Sequence, residues 1–199
     1  MRIKDRRALI IFVRRPELGK VKTRLAAEVG KDEALRIYIR LLDHTREVAQ
    51  SVDCSRHLWY ADKIETDDMW PPTSFDKYKQ PDSDLGGRMK AAFAQALENH
   101  DKVVIIGSDC PKLSTDIVEE AYDALDDHDL VIGPTYDGGY YLLGMKNLHT
   151  FLFDDMRWSV DDVCETTIAR SQDHNLSSTK LTKLSDVDYK SDWEEHGLD

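Results

Sequence analysis

Short apolar runs alternate with amphipathic segments along this chain, which is typical of strands that alternate with helices. Residues 8–13 are apolar at every position, and such a run predicts a central strand that is buried on both faces. Residues 62–83 contain three prolines and are predicted to be irregular. Further strands are predicted over residues 57–61, 102–106, 130–132, 140–143 and 179–184.

Helical periodicity lies between the predicted strands. Apolar residues recur at the spacing of one helix face over residues 34–42, 85–97 and 117–125. Ser159, with Asp162 three residues later, resembles a capping box that opens a further helix, and a last helix is expected near the carboxyl terminus. The alternation predicts an α/β fold, a three-layer sandwich with helices on both faces of a mixed, mostly parallel sheet.

Length and composition favour a single core. With 199 residues, of which 41% are apolar, the chain is predicted to form one domain over residues 1–199. No apolar run is long enough for a membrane span. Cys54, Cys110 and Cys164 are far apart and form no CxxC pair, so we expect reduced thiols in the cytoplasm and neither a disulfide framework nor a zinc site.

The net charge of −11 is unevenly distributed. The first 24 residues carry nine Lys and Arg against two acidic residues, and the rest of the chain is strongly acidic. An acidic body repels nucleic acid, whereas a small basic patch suits a small anionic ligand, so we expect no nucleic-acid partner. Residues 2–7 are expected to be a solvated basic terminus, and the cations between Arg14 and Arg24 are expected to bind the ligand.

The basic loop after the first predicted strand is a candidate phosphate clamp. Cationic side chains that converge after a strand can bind a phosphate chain, although simple solvation of the charges remains the alternative. The loop is not a Walker sequence, and it has no G-x-G-x-x-G motif, which argues against NAD binding. The candidate binding residues are Arg14, Lys20, Lys22, Thr23 and Arg24.

Three aspartates are candidate metal ligands. Asp109 directly follows the apolar run of residues 102–106, and ligands of open α/β sheets bind at the carboxyl ends of the strands. Carboxylate oxygens suit Mg²⁺ or Mn²⁺, but Asp109 is also explained as a turn residue that caps Cys110 or the next helix. Asp186 and Asp188 form a D-x-D whose two carboxylates can point the same way, or which can simply cap the last helix.

Two glycine-containing segments are further candidates for contact with a ligand. Asp137, Gly138 and Gly139 combine a carboxylate with two permissive backbone positions, and an ordinary hairpin turn is the alternative. Arg88 follows two glycines at a helix start, which fits contact with an anion or a tight turn. Cys110 has no histidine nearby in the sequence and is expected to be a small buried residue rather than a nucleophile.

Together these segments resemble the DUF2064 family, whose members are usually described as glycosyltransferases with the nucleotide-diphospho-sugar transferase (GT-A) fold. The likeness covers nearly the whole chain. The chain is also similar to the guanylyltransferases that activate 2-phospholactate or phosphoenolpyruvate. The matching segments are Gly19-Lys20-Val21-Lys22-Thr23-Arg24-Leu25, Asp84-Leu85-Gly86-x-Arg88-Met89, Gly107-Ser108-Asp109-Cys110-Pro111-x-Leu113, Gly133-Pro134-x-x-Asp137-Gly138-Gly139-Tyr140-Tyr141-Leu142 and Trp158-Ser159.

The resemblance implies roles for particular residues. In the guanylyltransferases a K-[ST]-R-L loop contacts phosphate, which corresponds to residues 22–25 here. The resemblance implies that Asp109, Asp186 and Asp188 hold Mg²⁺ or Mn²⁺, with Asp109, Lys22 and Arg24 as the catalytic residues. The acceptor pocket is then expected to be shaped by residues 137–141 and Trp158.

The implied function is metal-dependent transfer from a nucleotide donor to a small acceptor. Glycosyl transfer from a nucleotide sugar is the first expectation. Nucleotidyl transfer from a nucleoside triphosphate, with release of pyrophosphate, is the alternative, because Asp109 is followed by Cys110 rather than by the rest of a D-x-D. A non-catalytic nucleotide-binding protein is a third alternative. The sequence indicates neither donor, acceptor nor oligomeric state.

Overall fold

Strands and helices alternate along residues 6–198, the part of the chain that this computed structural model describes. Arg2 and Lys4 of the predicted basic terminus lie outside those residues. The strands are β1 (Arg7–Val13), β2 (Ser55–Tyr60), β3 (Asp76–Lys79), β4 (Lys102–Ile106), β5 (Leu130–Pro134), β6 (Tyr140–Met145) and β7 (Ser178–Lys180). The α-helices are α1 (Thr23–Val29), α2 (Lys31–Ser51), α3 (Leu85–Leu97), α4 (Thr115–Asp127), α5 (Val163–Asp173) and α6 (Lys190–His196).

The strands form one mixed sheet in the order β3-β2-β1-β4-β6-β5-β7. Strand β6 is antiparallel to both of its neighbours, and every other pair is parallel. The apolar strands β1 and β4 lie side by side at the centre of this order. The mostly parallel sheet predicted from the sequence is therefore confirmed, and its central strands are the ones with uninterrupted apolar runs.

Helices cover both faces of the sheet, which confirms the three-layer sandwich. On one face, α2 and α4 bury side chains such as Tyr38, Leu42 and Tyr122 against the strands. On the other face, α3 contributes Met89 and Phe93. A smaller cluster joins α1 and α2 to the residues before α6. No helix within residues 6–198 combines the length and the apolar character that a membrane span needs.

The observed strands differ from the prediction in two places. Residues 62–83 were expected to be irregular, yet they contain β3, which pairs in parallel with β2 at the sheet edge. An edge strand tolerates the polar sequence Asp-Lys-Tyr-Lys because one of its sides faces solvent. A search for apolar runs does not detect such a polar strand. The strand predicted over residues 179–184 is shorter, and Leu184 instead forms an isolated parallel bridge with Thr135.

Two local predictions are wrong. Ser159 is not a helix cap: it has a φ of 62°, and α5 starts after Asp162, whose side chain makes no capping hydrogen bond. Arg7 is not part of a solvated terminus, because it opens β1 and donates to Glu119 Oε2 at 2.7 Å. Its guanidinium also lies 5.0 Å from the centroid of the Tyr122 ring, so α4 holds this side chain against the sheet.

The central position of β1 gives a testable prediction on stability. Leu9→Ala removes a side chain that is 0% exposed, and we expect it to lower the free energy of unfolding by about 3 kcal/mol through lost burial and the cavity it leaves. Chemical denaturation followed by circular dichroism measures this change. Leu18→Ala is the matched control, because Leu18 is 55% exposed and its truncation should change stability by less than about 0.5 kcal/mol. Equal effects of the two substitutions would contradict the placement of β1.

Candidate active site

The candidate site lies where the chain leaves β1 and β4, two adjacent parallel strands. The basic loop follows β1, and the segment of residues 107–111, which contains Asp109, follows β4. Parallel strands bring both exits to the same edge of the sheet, so residues far apart in sequence meet there. Tyr38 fixes the start of the basic loop, because its hydroxyl accepts from Arg14 N and donates to Arg14 O, each at 3.0 Å.

A third segment, near the carboxyl terminus, joins these two loops. Val187 is 0% exposed, and its backbone N–H donates to the carbonyl of Asp109 at 3.0 Å. Asp186 and Asp188 flank Val187 and are thereby held beside Asp109. The backbone of Asp188 is fixed in turn by Asp192, whose carboxylate accepts from Asp188 N at 2.9 Å. The predicted D-x-D is thus brought to Asp109 by the fold.

Lys22 is the cation at the centre of this cluster. Its ammonium lies 3.0 Å from Asp109 Oδ2 and 3.4 Å from Asp188 Oδ1, and its side chain is only 7% exposed. The backbone of Lys22 is left-handed, with a φ of 45°, at the position that precedes α1. Burial alone would lower the pKa of Lys22, but Asp109 and Asp188 outweigh it and raise that pKa.

Arg24 is a second and more accessible cation, in the first turn of α1. Its Nη1 donates to Asp188 Oδ2 at 2.8 Å, and its side chain is 63% exposed. The guanidinium lies 6.0 Å from the centroid of the Tyr189 ring. Arg24 therefore already faces the carboxylates and remains open to a ligand in solvent.

Asp186 experiences the charge of the whole cluster. Burial raises its pKa to about 7, and the nearby charges of Asp109, Asp137 and Asp188 add to the effect. Asp186 therefore lies within electrostatic reach of three other carboxylates, although Asp137 belongs to the loop between β5 and β6. Such mutual repulsion is relieved by a cation placed among the carboxylates.

The carboxylate oxygens of Asp109, Asp186 and Asp188 suit a hard divalent cation. In this structure, however, Asp109 and Asp188 contact the ammonium of Lys22. Oxygen ligands from carboxylates are what Mg²⁺ and Mn²⁺ prefer. Within residues 6–198, however, no three or more His, Cys, Asp or Glu side chains are grouped closely enough to hold a metal ion. The Lys22 ammonium occupies the space between Asp109 and Asp188. Metal binding by Asp109, Asp186 and Asp188 therefore requires Lys22 to move, and it stays a prediction.

The remaining cations of the basic loop lie apart from the carboxylates. Lys20 is 74% exposed and pairs with Glu17, three residues earlier. The side chain of Arg14 is exposed, and its backbone is held by Tyr38. Thr23 is the first residue of α1 and is also exposed. The structure thus brings Lys22 to Asp109 and Asp188, brings Arg24 to Asp188, and leaves Lys20 outside the cluster.

Arg88 and the glycine pair have structural contacts of their own. Arg88 Nε donates to the carbonyl of Ser83 at 2.8 Å and thereby ties the start of α3 to the preceding loop. Gly138 has a φ of 91°, and a Cβ there would lie 1.8 Å from the carbonyl oxygen of Asp161. Only glycine fits such a close approach, so the contact with the loop just before α5 accounts for Gly138 without a ligand. Gly139 N donates to Asp137 Oδ1 at 3.2 Å, which closes the turn.

Two residues that position the site are not among those predicted from the sequence. Tyr38 is not predicted to be functional. It lies on the apolar face of a helix, and nothing in the neighbouring sequence indicates that its hydroxyl binds another loop. Asp192 could have been found, since it lies at the third position of α6 and accepts from the backbone of Tyr189 at 2.7 Å, as in a capping box. Both act on the backbone beside a candidate ligand-binding side chain.

Comparison with known proteins gives a family match and a close structural relative. Residues 43–160 match the family described as "Uncharacterized protein conserved in bacteria (DUF2064)". A crystal structure from Desulfovibrio desulfuricans G20, of a protein provisionally named a nucleotide-diphospho-sugar transferase, is 33% identical with a TM-score of 0.85. That match covers 92% of this chain and 82% of the other. No curated protein is significantly similar to this chain.

More distant structures share the fold alone. CMP:2-keto-3-deoxy-manno-octonic acid synthetase in complex with CTP matches at a TM-score of 0.58 and 11% identity, covering 96% of each chain. The Rv0371c protein of Mycobacterium tuberculosis H37Rv in complex with manganese matches at a TM-score of 0.55 and 11% identity, covering 96% of this chain and 97% of the other. The nucleotide-diphospho-sugar transferase type of fold implied by the sequence is confirmed by the closer relative.

The position of Lys22 generates a prediction on metal affinity. Lys22→Met removes the cation that screens Asp109 and Asp188, so we expect the metal-free protein to lose about 1–2 kcal/mol of stability, a value reduced because both carboxylates are partly exposed. The same change removes the competitor of a metal ion and should tighten Mn²⁺ binding by about 5- to 30-fold. Denaturant unfolding and calorimetric titration with Mn²⁺ alone measure the two effects.

The matched control is Lys20→Met, which removes a cation from the same loop but outside the cluster. It should leave both stability and Mn²⁺ affinity nearly unchanged. If Lys22→Met weakens Mn²⁺ binding, or if the two variants behave alike, the ammonium is not in competition with a metal at the carboxylates.

Proposed function

The chain belongs to the DUF2064 family, and we propose that it is a transferase that uses a nucleotide donor together with Mg²⁺ or Mn²⁺. One observation carries this proposal: two cations, Lys22 and Arg24, meet the carboxylates of Asp109 and Asp188 at the carboxyl edge of the sheet. A polyphosphate with its divalent cation has the complementary distribution of charge, because the phosphates suit the cations and the metal suits the carboxylates.

Lys22 and Arg24 are proposed to bind the phosphates of the donor. Arg24 is open to solvent and presents a planar fork of donors suited to phosphate oxygens. Lys22 is held by carboxylates, and it becomes available to a phosphate once those carboxylates have another cation to bind. A metal and a nucleotide should therefore bind more strongly together than either does alone.

Asp109, Asp186 and Asp188 are proposed to hold the metal. When bound there, a divalent cation supplies positive charge that stabilises the diphosphate or pyrophosphate leaving group. The residues of the chain then act by binding and orienting the reactants, and no protein nucleophile is needed. Cys110 is unsuited to that role because it is 3% exposed and burial raises its thiol pKa to about 12.

A small cavity beside Asp137 is the proposed acceptor site. Its volume is about 320 Å³, and its lining includes Thr135, Tyr136, Asp161 and Lys183. Asp137 both lines this cavity and acts electrostatically on Asp186, so an acceptor bound there would lie next to the metal ligands. Trp158 takes no part in the lining; it packs against Gly86 at the start of α3.

Glycosyl transfer from a nucleotide sugar is the first form of this proposal, supported by the name of the close relative. Nucleotidyl transfer is the second, because Asp109 stands alone after β4 and the other two aspartates come from a separate segment. The two reactions share the site and differ in the bond that breaks. A non-catalytic nucleotide-binding protein remains the third, and it would bind nucleotide without metal and form no product.

The metal ligands generate the first prediction on function. Wild-type protein with a nucleotide donor at 100 times its Kd, in the presence of Mg²⁺ or Mn²⁺, should melt about 5–10 °C higher. Asp109→Asn should abolish the metal-dependent part of this shift and lower turnover at least about 100-fold. Asp127→Asn is the control, since Asp127 is exposed at the end of α4. Retention of metal-dependent turnover by Asp109→Asn would refute the assignment.

The identity of the leaving group generates the second prediction on function. With nucleoside triphosphates and nucleotide sugars offered separately, glycosyl transfer should release a nucleotide from the sugar donor, whereas nucleotidyl transfer should release pyrophosphate from the triphosphate. Coupled pyrophosphate assays and mass spectrometry of the products distinguish these outcomes. Ligand-induced stabilisation that persists with EDTA, without any product, would instead identify a binding protein.

A further inference from the structure

The cavity beside Asp137 has walls that are held together by backbone hydrogen bonds. Its volume of about 320 Å³ is at the small end of the range of roughly 300–1,000 Å³ that is usual for ligand sites, so its occupant is small. Cys164 N donates to the carbonyl of Gly138 at 2.9 Å and ties the start of α5 to the turn after β5. Tyr136 N donates to the carbonyl of Leu184 at 3.2 Å. Three separate segments of the chain thus build the cavity.

The cavity adjoins the proposed metal ligands. Lys183, which lines it, comes three residues before Asp186 in the chain. The intervening Leu184 forms a parallel bridge with Thr135, another lining residue. Burial is the main cause of the raised pKa of Asp186, and the charge of Asp137, which also lines the cavity, adds to it. A molecule in the cavity would therefore lie beside the carboxylates that are proposed to hold the metal.

Carboxylates outnumber ammonium groups in the lining of the cavity. The charged side chains there are three acids and one base, Asp137, Asp161, Glu165 and Lys183. Glu165 already has a cation, because its Oε1 accepts from Lys180 Nζ at 2.8 Å. Neither Lys183 nor the other two acids form an ion pair with any side chain of residues 6–198. A ligand that enters the cavity therefore meets two unpaired carboxylates and one unpaired ammonium.

Both unpaired carboxylates have oxygens available to a ligand. Asp161 is exposed, and its carboxylate makes no hydrogen bond within residues 6–198. In the same part of the chain, the carboxylate of Asp137 accepts through Oδ1 alone, from the Thr135 hydroxyl and from Gly139 N. Ionised carboxylates can only accept hydrogen bonds, so they bind the O–H and N–H groups of a ligand and repel its phosphate or carboxylate groups.

Tyr136 presents an aromatic ring at the same cavity, and it is 66% exposed. The Lys183 ammonium lies 4.9 Å from the centroid of this ring, where the face of the ring attracts a cation. The remaining exposed part of the ring is an apolar surface against which the C–H groups of a sugar can pack. The lining therefore combines hydrogen-bond acceptors with an aromatic ring, and this combination suits a polyhydroxyl compound.

On the basis of the transfer reaction proposed above, we propose that its acceptor is an amino sugar, a small polyhydroxyl compound that carries an ammonium group and no phosphate. Asp161 pairs with the ammonium, Asp137 accepts from a hydroxyl group, and the ring of Tyr136 packs against the sugar. Phosphorylated acceptors are disfavoured, because two carboxylates repel a phosphate and only the ammonium of Lys183 attracts it.

The experiment compares three hexoses that differ only in the group on the last carbon: 6-amino-6-deoxy-D-glucose, D-glucose and D-glucose 6-phosphate. Ligand-observed NMR titration of the protein in EDTA at neutral pH measures their dissociation constants without a metal that could bind the phosphate. We expect the amino sugar to bind about 2- to 5-fold more tightly than glucose, as for an exposed ion pair, and the phosphate to bind most weakly. Tighter binding of D-glucose 6-phosphate than of the amino sugar would overturn the proposal, and so would the absence of binding by all three.

Two substitutions locate the binding in the cavity. Asp161→Asn keeps the shape of the side chain and removes its charge, so it should abolish the preference for the amino sugar over glucose. Asp162→Asn is the matched control, because Asp162 is also exposed, does not line the cavity and makes no capping hydrogen bond through its side chain. Lys183→Met should increase the preference for the amino sugar over the phosphate. An unchanged preference in Asp161→Asn, or equal effects of Asp161→Asn and Asp162→Asn, would contradict the assignment.

The transfer reaction itself is tested separately, by the melting shift of the wild-type protein with a nucleotide donor and Mn²⁺. A donor-dependent shift without any preference for the amino sugar would reject this class of acceptor and leave the proposed transfer reaction standing. The expected order of the three hexoses without a donor-dependent shift would instead reject the transfer reaction and identify the cavity as a binding site for amino sugars alone.

Discussion

The pairing of the Lys22 ammonium with Asp109 and Asp188 is the interaction on which the organisation of the candidate site depends. Asp137 adds further negative charge at this edge of the sheet, and Asp186, whose pKa is raised to about 7, adds part of a charge near neutral pH. Bringing these side chains together without a cation would oppose folding, because their repulsion is only partly screened where solvent is excluded. Lys22 provides the compensating charge from within the chain. The same ammonium must leave the carboxylates when a metal binds them, which couples metal binding to phosphate binding in the proposed function.

The scaffold enforces this arrangement through the backbone rather than through the charged groups alone. The exits of β1 and β4 coincide because the strands are parallel neighbours. The hydrogen bond from Val187 N to Asp109 O adds the late D-x-D segment to that edge. Tyr38 and Asp192 each fix a loop next to a charged residue of the site. Positions set by a buried sheet and by backbone hydrogen bonds change little when a side chain exchanges partners. The backbone of the site can therefore stay in place when Lys22 leaves its carboxylates for a phosphate.

The sequence by itself determined the layered α/β fold, the central strands and the location of Asp109, because burial of whole strands and of single helix faces leaves a periodic pattern in local sequence. Local periodicity did not reveal β3, whose polar residues suit a sheet edge. The pattern of charges did not distinguish Lys22 from Lys20 and Arg14, although the family resemblance singled out Lys22. Only the tertiary structure decided that Lys22 meets aspartates 87 and 166 residues away. Contacts over such separations depend on the order of strands in the sheet and on the hydrogen bonds that join loops, and neither is encoded in the periodicity of a single segment.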